Sequence, residues 1–164
     1  MRHGHGPRRA LAAGAIFLAV TTLGAVGTAA SAAAASAGKP PDPALARAVA
    51  AWVSGGGESG LDALGSDFST LEAAANASDL ARMSAGCDRL RSDVEMAQQY
   101  EPIPDSQAQH DWALALASYA RGATDCVAGA DTSNANLMTR ASSEITSGSA
   151  QLDKVTARLN EIAG

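Results

Sequence analysis

Aromatic residues are scarce in this chain: two Trp, two Tyr and two Phe among 164 residues, 4 % in all. A core built on large rings is excluded, and abundant Ala with scattered Leu and Val must fill the interior by bringing backbones close together. No stretch alternates apolar and polar residues as a half-buried strand does, which leaves helices as the regular structure. Histidine occurs three times, and only His110 lies beyond the first few residues. No G-x-S-x-G elbow and no Glu-x-x-His pair occurs, so neither a hydrolase nucleophile nor a bundle di-metal site has its residues here. Gly55-Gly56-Gly57 is followed by neither Gly-Lys-Ser nor Gly-Lys-Thr and no strand precedes it, so it is no phosphate loop; it reads as a linker ending a helix.

Residues 1–37 are expected to be an export signal. Arg2, Arg8 and Arg9 form a basic start, Leu11 to Val26 an apolar stretch, and small residues offer cleavage sites between about Ala32 and Ala37. An uncleaved anchor is the alternative, although this apolar core is shorter and more diluted by Ala, Gly and Thr than the roughly 20 residues of a spanning helix. Beyond residue 37 the chain holds nine basic and 17 acidic residues, a net charge of −8. Such a surface repels phosphate backbones and anionic headgroups, which argues against nucleic-acid partners and against a membrane-embedded mature domain.

Residues 38–57 read as a linker and a short helix in which Asp42 caps, Pro43 opens, and Leu45, Val49, Trp52 and Val53 share a face. Residues 58–164 then carry four apolar seams with steps of three and four. The first is Leu61, Leu64, Phe68, Leu71 and Ala75. Ser78 is placed to cap the second, which runs Leu80, Met83, Cys87, Leu90, Val94 and Ala97. Glu101-Pro102-Ile103-Pro104 stops it. Asp105 caps the third, with Trp112, Leu116, Tyr119, Ala123, Cys126 and Ala130, and Asp131-Thr132-Ser133 leads to the fourth, from Met138 to Ile162. The expected fold is all-α: an up-down-up-down four-helix bundle with a short additional N-terminal helix. The carboxylates Asp62, Asp67, Glu72, Asp79, Asp88 and Asp93 fall off the seams and are expected on a solvated face, with Arg89–Asp93 and Arg91–Glu95 as surface pairs.

Cys87 and Cys126 lie on consecutive seams of an exported chain and read most simply as one disulfide; two free thiols or a metal pair are the alternatives. A tight turn would leave the two about 12 Å out of register at 1.5 Å rise per residue, beyond the ~6 Å usual between bridged Cα atoms. An extended Tyr100 to Asp105 removes that offset and makes the third long helix overhang the second by about two turns, carrying His110 and Trp112 past its end.

The run from Cys87 through Glu101-Pro102-Ile103-Pro104-Asp105 to Trp112, Tyr119 and Cys126 resembles small secreted Ala-rich helical proteins of high-GC Gram-positive bacteria. That resemblance implies an exported helical fold and supplies no functional residues. No catalytic group, cofactor or metal is expected from the residues themselves, because His110 and Asp111 diverge on adjacent helical positions. The expected function is therefore non-enzymatic: a secreted or envelope protein that binds a protein or cell-wall partner through Tyr100, Ile103, His110 and Trp112 at the overhanging end. A carrier sheltering a small apolar ligand or haem between the helices is the second expectation, with Tyr100 or His110 as axial ligand and Met83 and Met138 on the seams.

Overall fold

Four helices in this protein open on the side chain of an aspartate or asparagine. Asp42 accepts from the Ala44 N–H, Asp79 from Arg82, Asp105 from Ala108, and Asn134 from Asn136 and Leu137. Each satisfies backbone donors that the first helical turn leaves without partners. The computed structural model describes residues 42–164; the expected export signal lies outside the described residues. The helices are α1 (Pro43–Trp52), α2 (Glu58–Asn76), α3 (Leu80–Gln99), α4 (Ser106–Asp131) and α5 (Ala135–Ala163). The all-α expectation holds, and no strand occurs among the described residues.

Two of the connections share one construction. Ser78 and Ser133 take left-handed backbone angles, φ 52° and 51°, and the next residue's N–H reaches back to the carbonyl five residues earlier. That closes the preceding helix, and the same next residue, Asp79 or Asn134, caps the following one. Ser78, expected as the cap of α3, is instead the residue that turns the chain.

Successive helices pack in order, α2 on α3, α3 on α4 and α4 on α5. Leu71 faces Gly86 across the first pair, Ser84 bonds Asp131 across the second, and Arg121 bonds Glu144 across the third. The backbones of α2 and α5 do not meet; α1 packs on α5 instead, while α2 continues from α1 through an elbow at Val53–Gly57. The short first helix shares its core with the four long helices. Trp52 is buried there with Leu64, Leu90, Trp112 and Val155.

Cys87 and Cys126 are joined as a disulfide with their Cα atoms 6.0 Å apart. Levelling α3 and α4 at that bond and at Ser84–Asp131 leaves about eight residues of α4 beyond Gln99, some 12 Å of helix. The extended stretch 101–103 spans that offset, and its Ile103 N–H is held by the Gln109 side chain at 2.8 Å. At the same end Arg158 of α5 grips Asp105 with two bonds of 2.9 and 3.1 Å, and this guanidinium holds the aspartate carboxyl below its usual range.

The α4–α5 seam shows how an Ala-rich sequence packs. On α5, Met138, Ile145, Leu152 and Leu159 alternate with Ala141, Gly148, Val155 and Ile162, and all eight face the core or its margin. A Cβ added at Gly148 would stand 2.5 Å from Tyr119 Cε1 and 3.1 Å from the Ala115 carbonyl, so only glycine lets the two backbones approach this far. Gly65, on the outer side of α2, has nothing within 4 Å of such a Cβ. Gly148→Ala is expected to destabilise the fold by about 1–3 kcal/mol through overpacking. Gly65→Ala should stabilise it by up to about 1 kcal/mol through helix propensity. Chemical denaturation of both variants checks this pair, and equal signs would show that the seam tolerates a wider spacing.

Candidate functional site

The bend between α1 and α2 is built from bare backbone. Gly56 has φ 145° and ψ −10°, a non-helical conformation that L side chains rarely adopt, and it breaks the helix and turns its axis between α1 and α2. The glycine run ends α1, as its composition predicts, and joins it to α2 at a sharp elbow. Its second role is contact. A Cβ at Gly56 would meet the Tyr100 ring at 3.1 Å, and one at Gly57 would collide with the Trp52 ring. Two aromatic rings thus lie directly against the glycine backbone.

Trp52 fixes the elbow to the far end of the molecule. Its indole N–H donates to the Glu101 carbonyl at 2.7 Å. Its ring meets Tyr100 edge-on at 6.0 Å between centroids and Trp112 at 6.4 Å, both at separations where tilted aromatic pairs attract. The result is a cleft of about 230 Å³ between the elbow, the start of α2, and the end of α3. Trp52, Tyr100 and Trp112 form its aromatic wall, Gly57 and Gly60 its glycine side, and Met96, 58 % exposed, its rim.

One acid opens into this cleft, and a second stands behind it. Asp93 of α3 lines the cleft. Asp67 of α2, only 1 % exposed, meets the Asp93 carboxyl, and among the described residues its Oδ2 has no hydrogen-bond partner. Burial first, and the neighbouring Asp93 second, push the Asp67 carboxyl from 3.8 up to about 6, while Arg89 pulls it the other way. Asp67 was expected on a solvated acidic face. It is buried because it shares the three-four spacing of Leu64, Leu71 and Ala74, while Phe68 beside it turns toward Tyr119 of α4, 4.9 Å between ring centroids. The surface pairs also differ from expectation: Arg91 bonds Asp88 at 2.7 Å, not Glu95, and no ion pair joins Arg89 to Asp93.

Because its folded pKa is raised, Asp67 binds its proton more tightly in the folded than in the unfolded chain. Asp67's own contribution to stability is then greatest below about pH 4, is lost as pH rises through about 6, and stays lost above that. Asp67→Asn is expected to be more stable than the native chain by about 2 kcal/mol at pH 7 and to lose that gain near pH 3.5. Urea unfolding at the two pH values checks it; an equal difference at both would mean that Asp67 does not change ionisation there.

The four residues expected to form an interaction surface separate on the structure. Tyr100 is half-buried and walls the cleft. Ile103 is 3 % and Trp112 5 % exposed, so neither offers the exposed anchor expected of it. The overhanging end of α4 is covered: Trp52 of α1 lies over Trp112, and Ile103 folds inward where Gln109 holds its backbone. His110 is exposed at the start of α4 and lies outside the cleft. Trp52, Asp67 and Asp93 were not anticipated as site residues. The signals were a tryptophan set just before three glycines and an acid spaced with the leucines.

No helix among the described residues is long and apolar enough to cross a membrane, and none of their His, Cys, Asp and Glu side chains gather in a group of three able to hold a metal ion. No protein-family model, curated protein or solved structure matches the chain.

Proposed function

We propose that this protein is an exported, non-enzymatic binding protein of the cell envelope or exterior, which captures a small, largely apolar group in the elbow cleft. The group is a free ligand or the end of a cell-wall or protein partner. The observation that carries the reading is the cleft itself: three aromatic rings from α1, α4 and the α3 end converge on a recess open to solvent. Few, precisely placed polar groups in an apolar recess are the usual make-up of a ligand site.

Several features support the rest. The Cys87–Cys126 disulfide suits an oxidising compartment, and the basic and apolar residues before Ala37 suit export, as does the resemblance to secreted proteins of high-GC Gram-positive bacteria. A binding role is favoured over a catalytic one because, among the described residues, no histidine lines the cleft to act as a base. A small ligand is favoured over haem, since about 230 Å³ lies below the roughly 300–1,000 Å³ of sites for drug-sized molecules.

The test fills the cleft from within. Gly60 lines it and has nothing within 4 Å of an added Cβ, so Gly60→Leu can project into the recess without disturbing the helices. Titration with the neutral alcohol 3,3-dimethyl-1-butanol should give a saturable change in tryptophan emission in the native protein and none in Gly60→Leu. The same response in both would remove the cleft as the site.

A further inference from the structure

We infer that the group this cleft takes is a small organic cation, an alkylated ammonium, with Asp93 as its counter-charge. The inference rests on the reading of the cleft as a ligand site and names the chemistry it selects. The walls are the first observation. Trp52, Tyr100 and Trp112 line the recess, and aromatic π-systems attract cations, most strongly those that shed their water readily. Alkyl substituents on nitrogen lower its hydration and match the apolar wall in the same group.

Charge is the second observation. Among the described residues Asp93 is the only carboxyl on the cleft lining, and no Lys, Arg or His lines it, so no positive side chain there would attract an anion. Behind Asp93 stands the buried Asp67 with an oxygen that no described residue satisfies. Two carboxyls meet at the edge of an apolar recess; Arg89 acts on Asp67 from a distance, but no ion pair gives Asp93 a positive partner. A positive group at Asp93 supplies that charge where water is partly excluded and Coulomb attraction is stronger than in bulk. The net charge of −8 beyond residue 37 favours arrival of cations over anions. A bare divalent metal is the wrong occupant: it demands several oxygen ligands, and this wall is mostly apolar with one carboxylate among the described residues.

The experiment uses a pair of probes of one shape and two charges. Choline carries a trimethylammonium where 3,3-dimethyl-1-butanol carries a tert-butyl group. Both are titrated into the native protein, Asp93→Asn and Gly60→Leu, with tryptophan emission and calorimetry as readouts. Asp93→Asn removes a like charge beside Asp67 and is expected to fold, which far-UV circular dichroism checks. Choline should bind the native protein about tenfold more tightly than its neutral twin. Asp93→Asn should bring the two together, and Gly60→Leu should bind neither. Equal affinities in the native protein would overturn the charge inference and leave the apolar cleft standing. A choline preference that survives Asp93→Asn would overturn Asp93 as the counter-charge. Failure of both probes to distinguish the native protein from Gly60→Leu would remove the ligand site altogether.

Discussion

Reducing the Cys87–Cys126 bond is expected to lower the unfolding free energy by about 4 kcal/mol. The bond closes a loop of 39 residues that contains the whole extended segment and the overhanging turns of α4. In the chain-entropy account it acts mainly on the unfolded state, which loses conformations when the loop is closed. A domain of this size has about 5–15 kcal/mol in total, so the loss would be a large fraction. Paired urea titrations with and without reductant check it. The native helices should still form when reduced, because the α3–α4 seam is also held by Leu90, Val94 and Leu116. A midpoint that does not move would show that the Ala-rich seam needs no crosslink.

Trp112→Ala is expected to cost about 3–5 kcal/mol, as truncation of a buried large side chain does when the surroundings relax only in part. The ring is 5 % exposed and stands at the meeting of α1, α4 and the α3 end. Its loss removes the support beneath Trp52, whose own ring is the pin of the elbow. The effect should therefore appear twice: as a lower denaturation midpoint, and as a red-shifted emission from the remaining Trp52. Trp112→Phe, which keeps an edge-on partner, should recover much of both. A cost under about 1 kcal/mol with unshifted emission would place Trp112 on the surface.

What the sequence revealed and what it hid follow from how far apart the cooperating residues are. Cys87, Leu90 and Val94 on α3, and Leu116, Tyr119 and Ala123 on α4, stand at steps set by one helix turn, and all are buried. The Asp105 cap was legible for the same local reason, a polar side chain just before a periodic run. The elbow was not. Glycine's local signal is to end a helix, which it does here, but only Trp52 and Tyr100, 48 residues apart, show that the break also packs against two rings. Trp112 and Ile103 were misplaced for a related reason. Overhang could be computed from register, but the α1 tryptophan that covers it arrives from the other end of the chain. Asp67 was hidden by its neighbour: Phe68 claimed the seam, and spacing alone cannot say that two adjacent positions both turn inward.

The order of packing along the chain has a consequence for how the molecule forms. Every long helix meets its predecessor through a short or guided connection, so α2 through α5 can zip together as successive hairpins, with little entropy lost in closing loops. Helix α1 is different: its partner helix is α5, at the opposite end of the sequence, and its tryptophan docks on Glu101 and Trp112. Docking α1 is therefore expected to be the last step of folding and the first to reverse, detectable as the fastest native-state hydrogen exchange among the helices. The cleft exists only after that step. Assembly of the recess and completion of the fold are one event, and whatever settles in the recess slows the molecule's first step toward unfolding.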